Sequence, residues 1–206
     1  YGPPDEVANA FNFLCNSLPP ADLRVNSAKC TISSTSNSPI IPHSLKDIPF
    51  TPWADGLTIL GLPLGAPQAI TSSLSQTVAK LKTLTDRLPS LNHPQAALAL
   101  IRHSLATPRI VHLLRGLPPQ LLGNFPRECA NLFFQSLQTC LRLTLTPRAW
   151  AQATLPTTKG GLGLIDPVPF TPISFLSCYF AQRDTLRSHG DPLRILPSLT
   201  QEAASI

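Results

Sequence analysis

The chain has no methionine, few charges, no long apolar run and no paired-cysteine spacing, and each shortage removes a class of protein. A complete translated chain opens with methionine, so a sequence that opens at Tyr1 is read as a processed chain or a fragment, with a fragment the favoured reading. No apolar stretch approaches the ~18 residues needed to cross a bilayer, and no charged-then-apolar leader opens the chain. A membrane span and secretion are therefore not expected, and the reading is intracellular, in nucleus or cytoplasm. Five cysteines (Cys15, Cys30, Cys129, Cys140 and Cys178) are an odd number without a C-x-x-C spacing. That pattern predicts reduced, buried thiols rather than a disulfide framework. Charged residues are 13% of the chain against 43% apolar, a balance that excludes wholesale disorder.

What is abundant is proline. Its 23 residues are about twice the usual share, which predicts many short elements joined by stiff turns. With 206 residues, the chain can form one large domain or two small ones around a proper core.

Hydrophobic spacing divides the chain in two. Pro3-Pro4 and Asp5-Glu6 open a helix carrying Val7, Ala10, Phe11, Leu14 and Leu18, which Pro19-Pro20 stop. The acids at its start read as capping residues. A short strand is expected over Leu23 to Val25, then a polar turn over Asn26 to Lys29 and a second strand near Cys30 to Ser33. Residues 34–54 show little periodicity and read as a long connection, which is unusual inside a compact domain. Leu57 to Leu60 reads as a strand pinched by Gly61 and Gly65, positions where a bend or a close backbone approach is expected.

After Gly65 the spacing becomes helical. Leu74, Val78, Leu81, Leu84 and Leu88 form one stripe, and Ala97, Leu98, Ile101 and Leu105 a second. Ile110, Leu113 and Leu114 follow Pro108, and a long helix over about residues 120–143 carries Leu132, Phe133, Ser136, Leu137, Cys140 and Leu141. A short helical turn begins at Pro147, a tight turn covers Lys159 to Leu164, and a last helix is expected from about Pro172 to Arg187, ahead of a weak tail.

The net charge of +5 is unevenly placed. Residues 1–79 hold three Lys/Arg against five Asp/Glu, residues 80–148 nine against two, and the remainder four against four. A basic block between two near-neutral ends suits a surface that meets phosphates, and equally a solvated helical face. Several other sites fail on spacing. Cys129 and Cys140 with His103 and His112 match no zinc pattern, and Gly160-Gly161-Leu162-Gly163 is neither a dinucleotide fingerprint nor a P-loop.

Two motifs, taken in order, carry a resemblance. Asn26-Ser27-Ala28-Lys29-Cys30 precedes Gly56-Leu57-Thr58-Ile59-Leu60-Gly61-Leu62-Pro63-Leu64-Gly65, and the sequence resembles the back half of the polymerase palm in LINE-type (non-LTR) retrotransposon reverse transcriptases. The segments His103 to Arg109, Leu113 to Arg115 and Leu155 to Leu164 also look like recurring stretches of that family, so the likeness covers about residues 1–170. The resemblance implies an α+β, mainly helical chain. Residues 1–66 would be the end of the palm, a helix with short antiparallel strands and a primer-grip-like hairpin. Residues 67–146 would be a thumb-like helical bundle, and 147–206 a post-thumb helical segment and tail.

The resemblance also implies roles. Lys29 would lie near the phosphates of the incoming nucleotide as a general acid for the leaving pyrophosphate. Gly61 and Gly65 would let the hairpin backbone approach a primer strand. Lys80, Lys82, Arg87, Arg102, Arg109 and Arg115 would neutralise the backbone of an RNA–DNA or DNA duplex without sequence preference. The family's Tyr-x-Asp-Asp pair, which holds magnesium in the complete enzyme, lies before a helix start that Gly2-Pro3-Pro4-Asp5-Glu6-Val7 matches. The expectation is a chain that starts past its catalytic pair, holds no metal or cofactor of its own, does not polymerise alone, and would act with an upstream palm and fingers. A non-enzymatic helical nucleic-acid-binding module, or a relic of a retroelement, is the alternative.

Overall fold

Proline marks where the helices begin. In the computed structural model, which describes residues 2–36 and 39–188, every α-helix among the described residues has proline at its first or second position. Proline has no N–H to lose there, and its fixed φ already suits the helix. The surplus of proline therefore goes largely into helix starts rather than into disorder. The chain is mainly helical with two small sheets, and it divides into two compact units, Tyr1–Ser73 and Leu74–Ile206.

In the first unit, α1 (Pro4–Ser17) carries Asp5 and Glu6 in its first turn, where they oppose the helix dipole. Its Ala8 joins Leu45 and Ile48 in a small core, with Val7, Phe11, Cys30, Ile32 and Ile41 packed against it. Leu23 to Val25 belongs to no strand, so the strand expected there is absent. A 3₁₀ turn, Ser27–Lys29, leads instead into β1 (Ile32–Ser34). The stretch expected to be structureless holds a second 3₁₀ turn, His43–Leu45, and β2 (Phe50–Pro52). The β1–β2 pair is parallel, with Ile32 opposite Phe50 and Ser34 opposite Pro52, where antiparallel strands were expected. The long connection between them is what permits a parallel pair, since a tight hairpin can only join antiparallel strands. β3 (Leu57–Ile59) and β4 (Leu62–Leu64) form an antiparallel hairpin, Leu57 opposite Leu64.

The second unit holds most of α2 (Pro67–Thr85), which bears Leu74 and Leu81 on its buried face, and Leu88 follows in a 3₁₀ turn, Leu88–Leu91. Next come α3 (Pro94–Leu100), a π-helical turn Ile101–Leu105, α4 (Thr107–Gly116), the single turn α5 (Pro119–Leu122), α6 (Phe125–Leu141), α7 (Pro147–Ala153) and α8 (Pro167–Ser188). The core is built from Ile101, Ile110, Leu114, Phe133 and Leu137, each almost fully buried. Helix α8 packs on both α4 and α6.

The start of the last helix differs from the sequence reading. Helix α8 starts five residues before Pro172, because Asp166 caps it: its Oδ1 accepts from the Val168 amide at 2.9 Å. Pro172 then sits inside the helix, where it denies the Val168 carbonyl its usual donor. The weak tail expected at the C-terminus lies outside the described residues.

Candidate nucleic-acid interface

Helix α4 is amphipathic, and its wet side is basic. Ile110, Leu113 and Leu114 are buried, whereas Arg109, His112 and Arg115 are exposed at i, i+3 and i+6. That spacing lines the three side chains along one face, over about 9 Å of helix rise. Acids are scarce in that unit: its described part has Asp86, Glu128, Asp166 and Asp184. Asp86 is bound to Lys82 at 2.7 Å, and Asp166 is engaged at its helix cap.

Two buried hydroxyls hold α4 in place. Thr107 Oγ1 donates to the Ile165 carbonyl at 2.7 Å, and Ser174 Oγ on α8 lies 3.2 Å from the Leu114 carbonyl and 2.9 Å from that of Thr171. The apolar face is thus fixed at both ends, which fixes the direction of the basic one.

Just before α4, the π-helical turn carries Arg102, partly buried, and His103, exposed. The amide of Ala106 donates to the Ile101 carbonyl at 2.9 Å, the wide i to i−5 bond of a π turn. The guanidinium of Arg102 lies over Gly163, where a Cβ would stand 2.9 Å from Cζ. Among the described residues Arg102, Arg109 and Arg115 pair with no carboxylate.

The other expected contacts are arranged differently. Lys80 and Lys82 flank the buried Leu81 on α2, so they point about 160° apart around the helix and do not form one patch. The Lys82 ammonium is occupied by Asp86, and Arg87 is exposed just past the helix end.

In the first unit Lys29 is exposed at the end of its 3₁₀ turn. The Cys30 thiol donates to the Asn26 carbonyl at 3.4 Å, closing that turn. Gly61 is the second residue of the hairpin turn, with φ 85°, and Leu60 before it has φ 51°. Positive φ at both turn residues is the type I′ geometry that matches the strand twist. Gly65 lies against the protein's own backbone: a Cβ there would meet Gly56 Cα at 2.6 Å and the Trp53 carbonyl oxygen at 2.9 Å. The close approach at Gly65 is therefore internal.

Of the five thiols, only Cys129 and Cys140 are buried; Cys15, Cys30 and Cys178 are partly accessible, against the expectation of burial for all. Burial, then the Glu128 carboxylate, pushes the Cys129 thiol up to about 12. Burial raises Cys140 as well. A raised pKa disfavours the thiolate that a nucleophile or metal ligand needs, and no group of three His, Cys, Asp or Glu able to hold a metal occurs among the described residues.

A cleft of about 250 Å³ lies in the second unit between Leu88, Asn92, His93, Thr139 and Arg142. His93 caps α3 through Nδ1, which accepts from the Ala96 amide at 3.1 Å, so that nitrogen is taken, and the buried Cys140 completes the polar lining. A second hollow of about 200 Å³ between Leu137, Leu145, Ala149 and Leu162 is apolar.

Sequence reasoning missed three participants. His112 was legible as the middle of an i, i+3, i+6 basic series. Thr107 and Gly163 were not, because each acts on a residue more than fifty positions away. Comparison with protein-family models, with curated proteins and with solved structures gave no match.

Proposed function

We propose that this chain is the palm end and thumb of a LINE-type reverse transcriptase, whose second unit holds a primer–template duplex by its phosphates. The observation that carries the reading is the exposed face of α4, where Arg109, His112 and Arg115 stand free of carboxylates, with Arg102, also unpaired, on the turn that precedes the helix. About 9 Å of rise faces two to three phosphates of one strand at ~3.4 Å of axis per phosphate. Contacts of this kind position a duplex without reading its sequence. The order of the Asn26–Cys30 and Gly56–Gly65 motifs supports the family assignment.

Catalysis would have to come from elsewhere. The complete enzyme needs carboxylates that clamp two magnesium ions. Asp5 and Glu6 are adjacent on the exposed first turn of α1, so they point about 100° apart and serve the helix dipole. They do not fit a shared metal.

The test is binding of the whole chain to a labelled RNA–DNA hybrid, followed by anisotropy between 50 and 200 mM salt. Four neutralised phosphates give a log–log slope of about −3 to −4. Replacing Arg102, Arg109 and Arg115 by glutamine should flatten it by about 3 and leave the preference among sequences unchanged. Absence of binding at 50 mM salt, or an unchanged slope in the triple variant, overturns the reading.

A further inference from the structure

The glycine turn after α7 has no assigned role, yet it lies against Arg102, one of the unpaired cations. Gly163 has φ +68°, and a Cβ built on it would stand 2.9 Å from Arg102 Cζ and 3.0 Å from both Nε and Nη2. Only a residue without a side chain lets the guanidinium lie there.

That floor is rigid. The Gly163 amide donates to the Leu155 carbonyl at 2.9 Å, and the amides of Leu162 and Leu164 both reach the Ala153 carbonyl, at 3.1 and 3.3 Å. Two residues on, the Ile165 carbonyl takes the Thr107 hydroxyl at the start of α4. The turn is thus pinned to α7 on one side and to α4 on the other, with Arg102 between them. Arg109 and Arg115 are exposed, whereas Arg102 is partly buried and has no carboxylate partner among the described residues.

An unpaired guanidinium held flat against a fixed backbone has already lost much of the rotamer freedom that binding would otherwise take from it. Its planar fork can present two parallel N–H groups to one tetrahedral anion. We propose that Gly163 and Arg102 form a preset seat for a single phosphodiester group, with Gly163 as the positioning residue and Arg102 as the contact. The inference rests on the nucleic-acid reading above and adds to it the residue that orders the interface.

The experiment uses the whole chain and a fluorescein-labelled 16-base-pair RNA–DNA hybrid. Arg102→Ala should weaken binding and flatten the salt slope by about 1. Gly163→Ala, which displaces the guanidinium but removes no charge, should weaken binding about 3–10-fold. In the Arg102→Ala background the glycine substitution should cost no further affinity, because nothing remains to be displaced. Wild-type affinity in Gly163→Ala, or losses that simply add, overturns the seat while the nucleic-acid reading stands. Failure of the wild-type chain to bind overturns both. Should Gly163→Ala lose its helical circular dichroism, Arg102→Lys decides the matter. Lysine keeps the charge but has no flat face to lay on the glycine. The seat then requires an unchanged slope with affinity several-fold lower, and wild-type affinity in Arg102→Lys refutes it.

Discussion

The Thr107 hydroxyl donates to the Ile165 carbonyl at 2.7 Å across 58 residues of sequence. Thr107 is 1% exposed, whereas Ile165 is 42% exposed, so the hydroxyl has no water to fall back on. Thr107→Val keeps the shape and removes the donor of the bond that ties α4 to residue 165. It should cost about 1–3 kcal/mol in urea unfolding, and Thr107→Ser, which keeps the hydroxyl, should recover most of that.

Leu60 makes the opposite prediction. It occupies a left-handed turn position with φ 51° and is 96% exposed, so it bears backbone strain and gains nothing from burial. Leu60→Asn or Leu60→Gly suits a type I′ turn better and should raise stability by about 1 kcal/mol. Thermal unfolding of the two variants measures the gain.

Neighbouring glycines in one turn should respond very differently to alanine. A Cβ at Gly161 would overlap the Leu155 carbonyl and stand 2.7 Å from the Gln152 carbonyl oxygen, whereas a Cβ at Gly160 meets nothing within 4 Å. Gly160→Ala should therefore cost only the left-handed penalty of its φ, about 1–2 kcal/mol. Gly161→Ala must move backbone and should cost at least 4 kcal/mol, the exceptional end of single substitutions. Paired denaturation curves separate the two.

Alkaline pH should unfold the second unit by a route that can be traced. The Cys129 thiol titrates near 12 in the folded chain instead of the ordinary 9.0, mainly because it is buried. A raised pKa means the folded state keeps its proton while the unfolded state releases it. The associated stability is complete below pH 9, then falls by up to about 1.4 kcal/mol per pH unit until the folded thiol also ionises near 12. Cys129→Ala should flatten that decline, as read by urea midpoints between pH 8 and 11.

Much of the second unit was legible because its signals are local. Leu74, Leu81 and Leu88 repeat every seven residues, and all three are buried. The first unit was harder to read. Phe50-Thr51-Pro52 ends in a residue that ordinarily argues against a strand, yet it supplies β2 at an open edge. Leu23 to Val25 has strand composition but finds no partner, and composition alone cannot supply one. On the proposed face, the basic block and the family resemblance named Arg102, Arg109 and Arg115 together with Lys80, Lys82 and Arg87, without separating the two groups. The floor beneath Arg102 comes from residue 163, and no pattern within a window of twenty residues could link the two.

The parallel pairing of β1 with β2 has a consequence for the order of assembly. The β3–β4 hairpin closes across two residues, Leu60 and Gly61, whereas β1 and β2 meet only after the fifteen residues between Ser34 and Phe50 have been gathered in. Chain closure over that longer loop costs roughly 2 kcal/mol more. It must also precede the packing of Leu45 and Ile48 on Ala8, which is the main compensation available. The hairpin can form early and alone, while the small core of the first unit must wait for both ends of its loop. Under mild denaturant that core should open before the hairpin frays, with the β2 amides among the first to exchange with solvent.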